Sequence, residues 1–154
     1  MPLSKSTKVK FFFDGVIVNI KHRKLLKKFI EYIFRNEKKG LHTINYIFCG
    51  DEKLRTINKS YLKHDYYTDI ITFDFSEPKK PIIGEIYISI DRVKDNAQGF
   101  KEPFTNELQR VVFHGALHLC GYKDKGKWTP VMRKKEDSYL KKYKTFVSRD
   151  TVST

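Results

Sequence analysis

Between Thr105 and Cys120 the chain reads TNELQRVVFHGALHLC, a helix with almost no polar face. At about 100° per residue, Leu108, Val111, Val112, Gly115, Ala116 and Leu119 form one apolar stripe. Phe113 and Leu117 cover much of the opposite side. A helix apolar nearly all round must be enclosed by other elements, so this one is central, and the rest of the chain has to wrap it. The flanking patterns supply the wrapping. TKVKFFF, LHTINYIFC, TDIITFDF and GEIYISI read as strands, the first ending at the turn Asp14–Gly15 and the second stopped by Gly50 and Asp51. Between Lys21 and Glu37, Leu25, Leu26, Phe29, Ile30, Ile33 and Phe34 recur at three- and four-residue steps, the mark of an amphipathic helix with a basic outer face. DEKLRTINKSYL is a short helix with Leu54, Ile57 and Tyr61 inward, and DRVKDNAQG is another, with Asp91 as its expected cap. Thr105 is the expected cap of the central helix. Thr129 and Pro130 are the expected cap and first residue of a terminal helix, whose inner face is Met132, Tyr139, Leu140 and Tyr143.

The order β-α-β-α-β-β-α-α-α predicts an α+β fold: a mixed four-stranded sheet packed with about five helices in a single compact domain, 1–154. The SEPKKPII join is too short for a crossover helix, so strands three and four should be antiparallel. A flexible tail is expected at about 148–154. Neither cysteine belongs to a CxxC pair, and no apolar run approaches the length of a membrane span or signal sequence, so a cytoplasmic protein without membrane contact is expected.

Charge is unevenly placed. Of a net +13, residues 1–40 hold eleven basic and three acidic residues and residues 121–154 hold ten and four, while the middle of the chain is nearly balanced. Charge this far from zero serves solubility, and it also favours a polyanionic partner through counterion release.

His114 and His118 lie side by side, at about −120° and −80° from Leu108, on the flank of the core stripe. Two imidazoles one turn apart can reach one metal ion, although a single buried histidine is more often a hydrogen-bonded core residue. Gly121 then stands where a helix ends in a left-handed turn, and the chain can double back to bring Asp124 to the same place. Three protein ligands of this type leave one coordination position open, the pattern of a catalytic site; the alternative for Asp124 is an exposed loop acid between Lys123 and Lys125. In the zinc-peptidase pattern H-E-x-x-H a glutamate follows the first histidine as general base. Here Gly115 takes that place, which weakens a peptidase reading. Glycine inside a buried helix also implies close approach of another backbone or of a substrate.

HGALHLCGYKD resembles the signature H-G-x-L-H-L-x-G-Y-D-H of the bacterial YbeY family, through His114, Gly115, Leu117, His118, Leu119, Gly121 and Tyr122. INKSYLKHDYYTDIITFDF is similar to that family's N-x-x-Y-R-x-K-D-x-P-T-D-V-L-S-F segment through Asn58, Tyr61, Asp65, Thr68, Asp69 and Phe73. GEIYISI corresponds to its G-D-I-x-I-S segment, so the motif-bearing region covers about 55–124. The resemblance implies a compact α/β metal-hydrolase arrangement of zincin-like type. It implies single-strand-specific, metal-dependent RNA hydrolysis, used on the 16S rRNA precursor in 3′-end maturation and in ribosome quality control. Partners would be single-stranded RNA and the ribosome, and the cofactor one zinc ion. Two departures stand out. The third ligand of the family is histidine, where this chain has Asp124, a donor relatively better suited to manganese or another borderline divalent ion. An arginine of the family, suited to holding phosphate, is Leu62 here, and the family's lysine two residues on is His64. The metal set is then His114, His118 and Asp124. His64 is the nearest candidate general acid, and Lys63, Lys123 and Lys125 are candidate phosphate contacts. Tyr66 and Tyr67 are candidate platforms for an unpaired base, with ordinary loop packing as their alternative. A ribosome- or RNA-binding module with a structural or vestigial metal is the competing reading, and a zincin-type peptidase the third.

Overall fold

The computed structural model describes residues 8–64 and 67–152. Its elements run β1 (Val9–Phe13), α1 (Arg23–Asn36), β2 (Leu41–Cys49), α2 (Asp51–Leu62), β3 (Ile70–Asp74), β4 (Ile82–Ser89), α3 (Ile90–Gly99), α4 (Phe104–Leu119), a 3-10 turn (Gly126–Trp128) and α5 (Thr129–Val152). The sheet order is β1-β2-β4-β3. β1 and β2 pair in parallel, as do β2 and β4, while β3 runs antiparallel to β4 as the short join requires. The mixed four-stranded α+β architecture read from the sequence is the observed one.

Alternation in β2 places Ile44, Tyr46 and Phe48 in the core, each at 0% exposure, but His42 does not share their face. A register irregularity between Leu41 and Thr43 interrupts the pairing with β4 and turns His42 outward. The large core joins this face of the sheet to α1, α4 and α5, and a smaller core of Cys49, Leu54, Ile57 and Ile71 seats α2. In α2 the inward position expected for Tyr61 is wrong: Tyr61 is 72% exposed and Asn58 is buried instead. Tyr61 does fall on the same side of the helix as Leu54, but it stands in the last turn of α2, where its ring meets the edge of Phe73 at 5.9 Å between ring centres.

Phe113 and Leu117 are fully buried, so α4 is enclosed on its far side as its composition demands. The buried Tyr46 hydroxyl donates to the Val112 carbonyl at 2.9 Å and ties β2 to the middle of α4. Gly115 is explained by packing: a Cβ there would stand 2.7 Å from Ile86 Cδ1 and 3.1 Å from Ile70 Cδ1. The close approach is thus of sheet side chains.

Three expected caps are corrected. α3 is capped by Ser89, whose Oγ accepts from the Arg92 amide at 3.2 Å, and Asp91 lies in its first turn. α4 begins at Phe104 after Pro103 with no side-chain cap, because proline fixes the extended backbone that Thr105 was expected to provide. The 3-10 turn carries helical backbone geometry into Thr129, so Thr129 is inside α5; its hydroxyl donates instead to the Asp124 carbonyl at 3.2 Å. α5 continues to Val152, so residues 148–152 of the expected tail are helical and the remaining two lie outside the described residues. Both cysteines are buried and unpaired, and among the described residues no helix is long and apolar enough to cross a membrane.

Glu37, just past α1, holds three parts of this wrapping together. It accepts hydrogen bonds from the Tyr122 hydroxyl at 2.6 Å, from Lys135 Nζ at 3.3 Å and from the Tyr139 hydroxyl. Burial pushes its carboxyl up, but the two tyrosines and Lys135 outweigh it and hold the group below its ordinary range. A depressed folded value means stability that is present above the unfolded carboxylate range and is lost as pH falls through the folded one. Glu37→Gln is expected to lower stability at neutral pH by about 2 kcal/mol, the scale of hydrogen bonds to a charged group. Urea midpoints of the two proteins should converge as the pH is lowered.

Candidate active site

A cavity of about 610 Å³ lies over the β3 edge of the sheet, between the start of β3, α4 and α5. Thr68, Asp69 and Ile70 form one wall, and Arg110, His114 and His118 another. Asp124 and Lys125 close one end, and Arg133 and Glu136 reach in from α5.

His114 is the centre of this arrangement. Its Nδ1 is 2.6 Å from Glu136 Oε2, so the carboxylate accepts a hydrogen bond from that nitrogen and fixes the ring. Glu136 is buried, and its other oxygen accepts from Arg110 Nη1 at 3.0 Å. Arg110 is itself held by Asp137 at 2.8 Å. With Nδ1 committed as donor, a neutral His114 presents the Nε2 lone pair outward, where Asp124 Oδ2 stands 3.5 Å away. That is too long for a good hydrogen bond. It is close to the separation of about 3.3 Å that two ligands acquire on one tetrahedral ion with bonds of about 2.0–2.1 Å.

Two acceptors facing each other call for a cation or a proton between them. The raised proton affinity of His114 expresses the same need: burial opposes the charged ring, but Glu136, then Asp124 and Asp69, outweigh it. Asp69 in turn is pushed up by burial, and His114 pulls it partly back. Asn96 Nδ2 donates to its Oδ2 at 3.4 Å. Burial, followed by the Asp69 charge, also raises Glu107.

The return of Asp124 depends on the end of α4. The Gly121 amide donates to the His118 carbonyl at 3.0 Å and that of Tyr122 to the Leu117 carbonyl at 3.1 Å, with Gly121 at φ +108°. Side chains rarely adopt that backbone conformation, which explains the glycine. Among the described residues no group of three or more such donors is gathered closely enough to enclose an ion. His118 and Asp124 are both exposed and line the same cavity as His114. The imidazole and carboxylate donors, with a buried acid behind the first histidine, fit a divalent ion such as zinc.

The family model for Endoribonuclease YbeY matches residues 14–144. The chain belongs to the YbeY family. It is 48% identical to Endoribonuclease YbeY of Cytophaga hutchinsonii over 88% of this chain and 96% of that one. It is 51% identical to the Flavobacterium psychrophilum protein of the same name, over 73% and 80%. The solution structure of TM1509 from Thermotoga maritima superposes with a TM-score of 0.62 at 27% identity, covering 95% of each chain.

In this YbeY-family chain the cavity gathers some of the residues singled out in the sequence and leaves others aside. His64 and Lys125 line it together with His114, His118 and Asp124. Lys63 ends α2 in a left-handed conformation, and both it and Lys123 are exposed away from the lining. Tyr67 packs beside α2: its hydroxyl donates to Glu52 at 2.6 Å, and the guanidinium groups of Arg55 and Arg92 lie 5.2 Å and 5.7 Å from its ring centre. Tyr66 lies outside the described residues.

Glu136 and Arg133 were not anticipated. For Glu136 a signal existed, since it falls on the same α5 stripe as the buried Met132, Tyr139 and Tyr143. A carboxylate on a core face needs a partner, and here the partner is His114.

Proposed function

We propose that this chain is a metal-dependent, single-strand-specific endoribonuclease acting on the small-subunit rRNA precursor. In this reading His114, His118 and Asp124 hold one divalent ion, zinc or a borderline metal such as manganese. The observation that carries it is the Glu136–His114–Asp124 line, in a chain of the YbeY family. When bound, the ion acidifies water and offsets charge on the phosphoryl oxygens. The chain's own residues do the rest. Glu136 fixes which nitrogen of His114 faces the cavity. Arg133 and Lys125 sit at the rim, where they neutralise the sugar-phosphate backbone. His64, on the loop after α2, is the candidate proton donor to the leaving oxygen. Cleavage in 3′-end maturation of 16S rRNA and in ribosome quality control, in the cytoplasm and with the ribosome as partner, is the setting this activity fits.

A peptidase of zincin type is disfavoured on steric grounds as well as chemical ones. The place of its general base is Gly115, where the Ile86 and Ile70 side chains leave no room for a glutamate stem. The deciding experiment is cleavage of a structured small-subunit rRNA precursor with and without chelator, beside the His114→Ala protein. Cleavage that survives both would remove the metal from the mechanism. An absence of cleavage by the natural protein, with RNA still bound, would favour a binding module.

Leu62 lines the cavity at 43% exposure. Arg110 is bound by two acids, whereas Arg133 is 57% exposed and its contact with Glu136 is 3.9 Å. Arg133 is therefore the guanidinium best placed to take a phosphate bidentately. Arg133→Ala is expected to lower kcat/KM by about tenfold or more, the scale of one hydrogen bond to a charged group. Leu62→Arg should then add little. A large gain from Leu62→Arg, with Arg133→Ala silent, would mean that no residue has replaced the missing guanidinium.

A further inference from the structure

A second concave feature lies on the other flank of α5, where it passes α1, with a volume of about 550 Å³. Phe29, Tyr32 and Phe146 give it an aromatic base. Phe29 is buried while Phe146 is 37% exposed, and their ring centres are 5.6 Å apart. Tyr32 continues the row at 5.4 Å from Phe29. Lys141, Lys142 and Arg149 stand along the rim, with the hydroxyls of Ser138 and Thr145 between them. None of its described lining residues is acidic, and none is aliphatic.

The groove lies between two basic helices, α1 supplying Phe29 and Tyr32 to its lining and α5 all three of its cations. α1 carries five basic residues and one acid, and α5 carries seven and three. In the sequence these helices are separated by the balanced middle region, and only the fold sets them side by side.

We propose that this α1–α5 groove is a second binding site for single-stranded RNA, engaging substrate outside the catalytic cavity. This rests on the endoribonuclease reading above. An exposed aromatic face accepts any unpaired base, and lysines and arginine along one edge take the flanking phosphates with release of counterions. A groove for an amphipathic protein helix would offer aliphatic side chains, which this one lacks. The charge and the aromatic row together favour a nucleic acid. Residues 133 and 146 are roughly 20 Å apart along the helix axis, and the groove and the cavity occupy different flanks of α5. An RNA must therefore extend well beyond the cleaved bond to fill both.

The test compares two fluorescent single-stranded RNAs, a short one that fills only the cavity and a long one that reaches past it. The proteins are the natural chain, the double variant Lys141→Glu with Arg149→Glu, and Phe146→Ala. Both charged positions are exposed, so the double variant keeps the test sound if Phe146→Ala disturbs packing on Phe29. The double variant should bind the long RNA about tenfold or more weakly. Its dependence of log affinity on log salt should be shallower by about 0.7 for each phosphate that the protein no longer neutralises. Phe146→Ala should weaken long RNA by about tenfold with the salt slope unchanged, as loss of a stacking platform requires. Affinity for the short RNA, and its cleavage, should stay as in the natural protein.

Unchanged affinity and slope on long RNA in the double variant would overturn the proposal, including where only association with ribosomes drops and the groove is thereby a protein surface. An equal loss on short and long RNA would overturn it too, since the groove would then not be separate. A natural protein that neither binds nor cleaves RNA defeats the endoribonuclease reading as well. One that cleaves while the groove variants behave as the natural chain defeats the groove alone.

Discussion

Asp124→Ala is expected to lose most of its bound divalent ion at concentrations that saturate the natural protein. Asp124 Oδ2 faces the outward nitrogen of His114, at a distance that suits a shared ion better than a hydrogen bond. Removing it leaves two imidazoles on one helix face, and a two-ligand site holds zinc far less tightly than a three-ligand one. The measurement is metal stoichiometry and affinity by competition with a chromophoric chelator. Asp124→His should keep the ion and shift preference from manganese toward zinc, because imidazole is the softer donor. An Asp124→Ala protein with unchanged affinity would take Asp124 out of the site and return it to the role of an exposed loop acid. Cleavage rates should be read beside occupancy, since a lost rate alone can mean only a lost ion.

Glu136→Gln should weaken metal binding by about 10–100-fold, the usual cost of removing the acceptor behind a ligating histidine. The glutamine is nearly isosteric, so packing beside Met132 and Tyr139 is kept. Its amide can accept from only one of the two groups that Glu136 now serves, His114 Nδ1 and Arg110 Nη1. Glu136 acts through His114 and is a positioning residue. Its substitution should leave RNA affinity almost unchanged while metal affinity falls, and excess metal should restore most of the cleavage rate. A loss of rate that excess metal does not repair would show that Glu136 handles a proton or the substrate directly. Thermal unfolding of the metal-free proteins separates both outcomes from simple destabilisation.

What the sequence determined is what depends on neighbours along the chain. Hydrophobic spacing set the strands and helices, and the apolar surround of the helix that became α4 made it central before any contact was known. The adjacency of His114 and His118 follows from helix geometry alone, and the turn at Gly121 from its left-handed backbone. The short SEPKKPII join required the antiparallel β3–β4 pair. Cap positions failed at Asp91, Thr105 and Thr129, because a nearby serine, a proline and a 3-10 turn each offered the backbone an alternative of similar energy.

Only the tertiary structure decided the rest. The order β1-β2-β4-β3 arises from long-range pairing that no local pattern encodes. Glu136 meets His114 because α5 folds back across α4, bringing together side chains 22 residues apart. Which groups surround Tyr67 could not be read locally either: the fold places Glu52, Arg55 and Arg92 beside it. The aromatic rings of α1 and the cations of α5, far apart in the sequence, came to line one groove when the two helices packed together. Local propensity chooses the shape of each element. Which charges and rings then face each other depends on burying the apolar stripes of all the elements at once, and that is a property of the whole chain.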